Sequence, residues 1–218
     1  MPTLTTAPAM DQVVILPKVS WKTYKQLSAE TPPGSGVRLT FDQGCLQIMS
    51  LSSGHEMPNR HLADLVNMMT ELLDLEVCPV GSTTFEREDL ARAFEPDSAF
   101  YFRSAARMAA NDNIRLPHDP PPDLVIEVDI SRRSLNKLPL FAAVGIEEVW
   151  RYDGGRVHMY LLNADGAYDA AARSRWLAPL TPDAATGLLH ARRAETRLAR
   201  WRQAVRDWFD ATSSAARD

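Results

Sequence analysis

Pro122-Asp123-Leu-Val-Ile-Glu127-Val-Asp129-Ile130 is the stretch on which the reading of this chain turns. Residues 123–130 have the near-continuous aliphatic character of a central strand covered on both faces. Three acids interrupt it. Side chains alternate along a strand, so Glu127 and Asp129 point the same way with Cα atoms roughly 7 Å apart, and Asp123 shares that face ~13 Å from Glu127. Asp123 is therefore too far away to join Glu127 on one ion. Two carboxylates buried on one sheet face repel and are costly to desolvate unless a cation or strong donors compensate. A divalent cation is an economical answer.

Working outward, residues 134–144 read as a helix closed by Gly145, and residues 147–152 as the next strand. The result is a β-α-β unit with short connections. Upstream, Pro96-Asp97 opens a strand over residues 98–103, so Asp97 could complete an acidic site from a neighbouring element. Oxygen ligands without clustered His or Cys favour Mg²⁺, with Mn²⁺ as its substitute, over zinc. Taken singly, the acids also have ordinary readings: Asp97 starts a strand, Asp123 caps a turn, Asp129 sits exposed at a strand end. Glu127, flanked by Ile126 and Val128, is the hardest to explain in that way.

The flanking sequence supplies the remaining elements. A helix is expected over residues 20–28 with Ser20 as N-cap, followed by a hairpin of 37–41 with 45–49 about a turn at residues 42–44. Residues 55–74 carry Leu62, Leu65, Val66, Met69, Leu72 and Leu73 on one helical face, with Pro58 suited to the first turn. Strands over 76–86, 157–162 and 168–176 are expected, with a loop over 107–122. A final helix over 189–209 aligns Leu198, Trp201, Val205, Trp208 and Phe209, while Arg192, Arg193, Arg197, Arg200, Arg202 and Arg206 crowd its other sides. Those arginines fit either a solvated face or one that contacts phosphates.

Hydrophobic residues at 45% and charged residues at 24% are the balance of a globular protein able to bury a core. A formal charge of −4 means that any nucleic-acid contact must come from a local patch. Cys45 and Cys78 sit among apolar neighbours and read as free thiols of a reducing compartment, so a cytoplasmic location is expected. No apolar run approaches the ~20 residues of a membrane span. No Gly-rich phosphate loop, CxxC or HExxH occurs.

The succession Pro96-Asp97, Pro122-Asp123-Leu-Val-Ile-Glu127-Val, Lys137-Leu-Pro-Leu-Phe141 and Gly145-Ile-Glu-Glu-Val-Trp150 resembles the Uma-type "putative restriction endonuclease" family, a branch of the PD-(D/E)xK nucleases. The likeness spans about residues 20–165 and extends to Ser52-Ser-Gly-His-Glu56, a polar loop opening a helix. It implies an α/β fold: a restriction-endonuclease-like mixed central sheet flanked by helices, with an N-terminal hairpin and a C-terminal helix. It also implies Mg²⁺-dependent hydrolysis of DNA phosphodiesters, with Asp97, Glu127 and the backbone carbonyl of Val128 as metal ligands. Glu56 is expected to bind metal or orient water. The lysine of the E-x-K element is missing, because Asp129 stands there, and Lys137 on the following helix matches a lysine that the family carries at that place. His55 and His61 are expected to be surface or capping residues. The organisation expected is a flexible arm over 1–15, a nuclease domain over 16–188 and a basic amphipathic helix and tail over 189–218. A homodimer would suit a single-site enzyme that cuts both strands. The rival readings are a fold retained without its chemistry, serving as a DNA-binding or protein-interaction module, and a purely structural α/β domain whose acids are capped by backbone amides.

Overall fold

The computed structural model describes residues 11–32, 34–130 and 134–215. Two sheets organise them. The first, antiparallel throughout, has the order β1-β3-β2-β6-β5 and consists of β1 (Gln12–Leu16), β2 (Val37–Asp42), β3 (Cys45–Ser50), β5 (Phe85–Arg87) and β6 (Arg92–Phe94). The second is the expected mixed sheet, with β4 (Cys78–Pro79), β7 (Ser98–Tyr101), β8 (Leu124–Val128), β9 (Glu148–Tyr152), β10 (Val157–Leu162) and β11 (Tyr168–Ala170). Its order is β11-β10-β9-β8-β7-β4, and β8 and β9 run parallel.

The expected hairpin is β2 and β3. Its turn residues Gln43 and Gly44 have φ of 47° and 93°, two successive positive values that match the twist of the strands they join. The rest of the first sheet goes beyond the expectation. Residues 12–15, expected in a flexible arm, lie in β1 and pair with β3 from Gln12↔Ser50 to Leu16↔Leu46. Val13-Val-Ile-Leu16 is rich in strand-favouring β-branched residues, and β3 offers an open edge to it. Residues 1–10 lie outside the described part. The strand expected over 76–86 is confined to β4 and β5.

Six helices accompany the sheets among the described residues. In α1 (Trp21–Glu30) Ser20 is the N-cap, its Oγ accepting from the Thr23 N–H at 3.1 Å. Helix α2 (Ser53–Leu72) begins two residues before the expected 55, so Pro58 falls in its second turn. A short α3 (Ala105–Ala109) interrupts the expected loop, and α4 (Leu138–Val144) ends at Gly145 with φ of 89°. The single C-terminal helix expected over 189–209 is in fact two, α5 (Pro182–Ala194) and α6 (Leu198–Ala215). Thr181 caps α5, while Glu195 closes it and turns its Oε1 to the Arg197 N–H at 2.8 Å, starting α6. The aromatic stripe of α6 packs into the main core as its spacing implied. None of these helices is long and apolar enough to cross a membrane.

Strand β8 divides the core. Leu124, Ile126 and Val128 face a cluster with α2, α5 and α6, whereas Val125 joins Phe141 and Val144 of α4 in another. Alternation therefore turns Glu127 and Asp129 to the α4 side. A third cluster lies between α1 and the first sheet.

Candidate active site

Glu127 lies in the middle of β8, beneath the start of α4. The residue just before that helix is Lys137, whose Nζ donates to Glu127 Oε2 at 2.8 Å. The segment carrying Lys137 is held from two directions. The Leu135 N–H donates to Gln47 Oε1 of β3 at 2.7 Å, and Ser134 Oγ donates to Asp129. Arg151 of β9, register partner of Glu127, donates to Asp129 Oδ2 through Nε at 3.1 Å and Nη2 at 2.5 Å. These residues line a cavity of about 210 Å³ between the two sheets and α4.

Asp97 stands just ahead of β7, the other neighbour of β8, and its backbone N–H bonds the Ile126 carbonyl at 3.1 Å. Its Oδ2 accepts the Val128 N–H at 2.6 Å, while its Oδ1 accepts from His55 Nε2 at 2.8 Å and from Arg38 Nη1. His55 Nδ1 in turn meets Asp11 Oδ2 at 2.9 Å, and Asp11 Oδ1 caps the Ser52 N–H at 2.7 Å. One turn along α2, Asn59 donates to the Asp97 carbonyl at 3.0 Å and accepts from Ser98 Oγ at 2.8 Å. Helix α2 is thereby fastened to the strand that carries Asp97.

The two acids differ in electrostatic state. Burial pushes Glu127 up to about 7, assisted by the charge of Asp97 and only partly opposed by Lys137. Burial also disfavours ionised Asp97, but His55, Arg38 and Lys137 outweigh it and hold that carboxyl below its usual range. Burial works to lower His55, yet its bonds to Asp97 and Asp11 raise it overall. Glu127 Oε1 is the unusual atom. It is buried, and among the described residues no donor reaches it.

Glu127, Lys137 and Val128 line the cavity together, whereas Asp97 lies behind them, joined through the Val128 N–H. Glu56 does not join them: one residue along the helix from buried His55, it pairs with exposed Arg60 at 2.9 Å. Asp123 caps a turn, its Oδ2 accepting the N–H groups of Phe102 and Arg103 at 2.7 and 3.0 Å. His55 is a correction. It is not a surface residue but is 1% exposed, held between two carboxylates. Arg38, Asp11 and Asn59, which join it here, were not singled out in the sequence. A signal for two of the four existed, because His55 and Asn59 prolong the stripe of Leu62, Val66 and Met69 at helical spacing, placing polar groups where burial was foreseeable.

Among the described residues no group of three or more His, Cys, Asp or Glu side chains forms a ready cation cage. The donors present still suit an oxygen-seeking ion. Glu127 Oε1, a buried acceptor without a donor among the described residues, lies beside a second carboxylate.

A mixed sheet that carries Glu127 on β8 and Asp97 just ahead of its neighbour β7, with Lys137 reaching Glu127 from the start of α4, has a restriction-endonuclease-like fold. A family model described as "Uma2: Putative restriction endonuclease" matches residues 21–199, and the chain belongs to that family. Among solved structures, the chain resembles a putative nuclease belonging to DUF820 from Anabaena variabilis. The two share 11% identity with a TM-score of 0.54, over 78% of this chain and 99% of that one. No curated protein matches.

Proposed function

We propose that the protein is a Mg²⁺-dependent endodeoxyribonuclease in which Asp97, Glu127 and the Val128 carbonyl hold the cation and Lys137 supplies the positive charge of the chemistry. The observation that carries this reading is the Lys137–Glu127 contact at 2.8 Å beside a buried Glu127 Oε1 that no donor reaches among the described residues. When bound, the divalent cation supplies an activated water and offsets charge on the phosphate. The chain's own groups do the rest. Asp97, pinned by the Val128 N–H, keeps an ionised oxygen just ahead of β7. Lys137, anchored through Gln47 and Ser134, directs Nζ into the cavity, where it can hold the attacking water or a phosphoryl oxygen. Asp129 does not leave an uncompensated charge at the missing lysine's place, since Arg151 neutralises it and Ser134 donates a hydrogen bond to it.

DNA is the substrate that family membership implies, and a two-fold homodimer would present one such site to each strand. Free Cys45 and Cys78 suit the reducing cytoplasm. The test is nicking of supercoiled plasmid under Mg²⁺ by wild type and by Asp97→Ala/Glu127→Ala. Cleavage by wild type alone supports the proposal. Failure of the wild type under Mg²⁺ and Mn²⁺, with DNA still bound, would transfer it to the inactive binding-module reading.

A further inference from the structure

Asp97 is crowded before any metal arrives. A carboxylate offers about four lone-pair directions, and three donors already use them: the Val128 N–H, His55 Nε2 and Arg38 Nη1. Two bases already serve the acids, Arg38 on Asp97 and Lys137 on Glu127, while His55 lies between Asp97 and Asp11. A divalent cation at Asp97 would have to compete for oxygens that these donors already occupy, so one of them must give way.

Arg38 is the group able to do so. The Val128 N–H belongs to the sheet backbone, and His55 is clamped between two carboxylates with its side chain 2% exposed. Lys137 contacts Glu127 rather than Asp97. Arg38 alone of the three donors to Asp97 sits on a long flexible stem, and it comes from β2 in the other sheet with its side chain 13% exposed.

We propose that Arg38 is the counter-ion that a divalent cation displaces from Asp97, and that its freed guanidinium then grips a DNA phosphate. This rests on the metal reading above. Without metal, the guanidinium neutralises Asp97. With metal, its planar fork of donors swings to an anion of the geometry it matches best. Metal and DNA binding are thereby coupled through one side chain.

Calorimetric titration with Mn²⁺ of wild type, Arg38→Met and Arg38→Lys tests it, with circular dichroism to establish folding. Arg38→Met is expected to bind Mn²⁺ at least tenfold more tightly than wild type, because the ion no longer competes with a guanidinium, and Arg38→Lys to fall between them. DNA affinity measured with Ca²⁺ in place of Mg²⁺ is expected to drop at least tenfold in Arg38→Met. Equal or weaker Mn²⁺ binding by the variant, with wild-type binding intact, would overturn the displacement and leave the metal reading standing. No Mn²⁺ uptake by any form would sink both. Should Arg38→Met not fold, a Mn²⁺-soaked wild-type crystal decides: guanidinium off Asp97 supports the inference, and guanidinium still on Asp97 with the ion bound refutes it.

Discussion

Glu127→Gln isolates the cost of keeping a charge on β8. Glutamine has the shape of the protonated acid, so it retains an acceptor for Lys137 but cannot ionise. In the folded protein Glu127 titrates at about 7, against an ordinary 4.5. A carboxyl raised in the native state binds its proton more tightly there than in the unfolded chain. Its stabilising contribution is thus complete below about pH 4.5 and is lost as pH rises through 7. At 1.36 kcal/mol per pKa unit, a rise of that size corresponds to about 3 kcal/mol between pH 4.5 and pH 8. Urea denaturation without divalent ions should accordingly show Glu127→Gln gaining about 3 kcal/mol on wild type across that interval. A metal ligand should also respond to its ion, so millimolar Mg²⁺ at pH 8 should stabilise wild type and leave Glu127→Gln nearly unmoved. A stability difference independent of pH would refute the claim that Glu127 is held charged against its environment.

Three further outcomes are expected. Asp97→Ala with Glu127→Ala should abolish Mn²⁺ binding by calorimetry, and binding equal to wild type would remove both residues from the metal site. His55→Ala should cost about 3 kcal/mol in urea denaturation, because it leaves Asp11 and Asp97 buried without the base between them. A loss under about 1 kcal/mol would mean that water replaces the ring at little cost. Arg197→Ala with Arg200→Ala should flatten the logarithmic salt dependence of DNA binding by about one unit for each phosphate that the helix no longer holds. An unchanged slope would return α6 to a solvated basic face.

The part of the site that could be read from the sequence lies where neighbours in the chain are neighbours in space. Glu127 stood out because an acid within Leu124–Val128 contradicts its own surroundings, and Lys137 was reachable because it lies ten residues downstream, at the start of the helix covering the same strand. The rest of the Asp97 environment is assembled at long range. Arg38 is 59 residues from Asp97 and His55 is 42, each brought in by sheet pairing or helix docking that local periodicity does not encode. Glu56 was expected in the site because the resemblance places a helix glutamate there, whereas His55 was expected to be a surface or capping residue. The phase of α2 decides otherwise, burying His55 beside Leu62 and Val66 and turning Glu56 to Arg60. The first sheet was underestimated for a related reason. Val13–Leu16 has strand composition, but four residues beside a polar N-terminus give no sign of the β3 edge they will pair with.

The most direct measurement is the rate of supercoiled-plasmid cleavage under Mg²⁺ by wild type and Lys137→Ala, paired with Mn²⁺ titration of both proteins. Lys137 contacts Glu127 and offers no electron pair to a metal while charged, so the variant should lose cleavage while binding Mn²⁺ at least as tightly as wild type. Cleavage at the wild-type rate by Lys137→Ala would remove this lysine from the chemistry and, with it, the proposed mechanism.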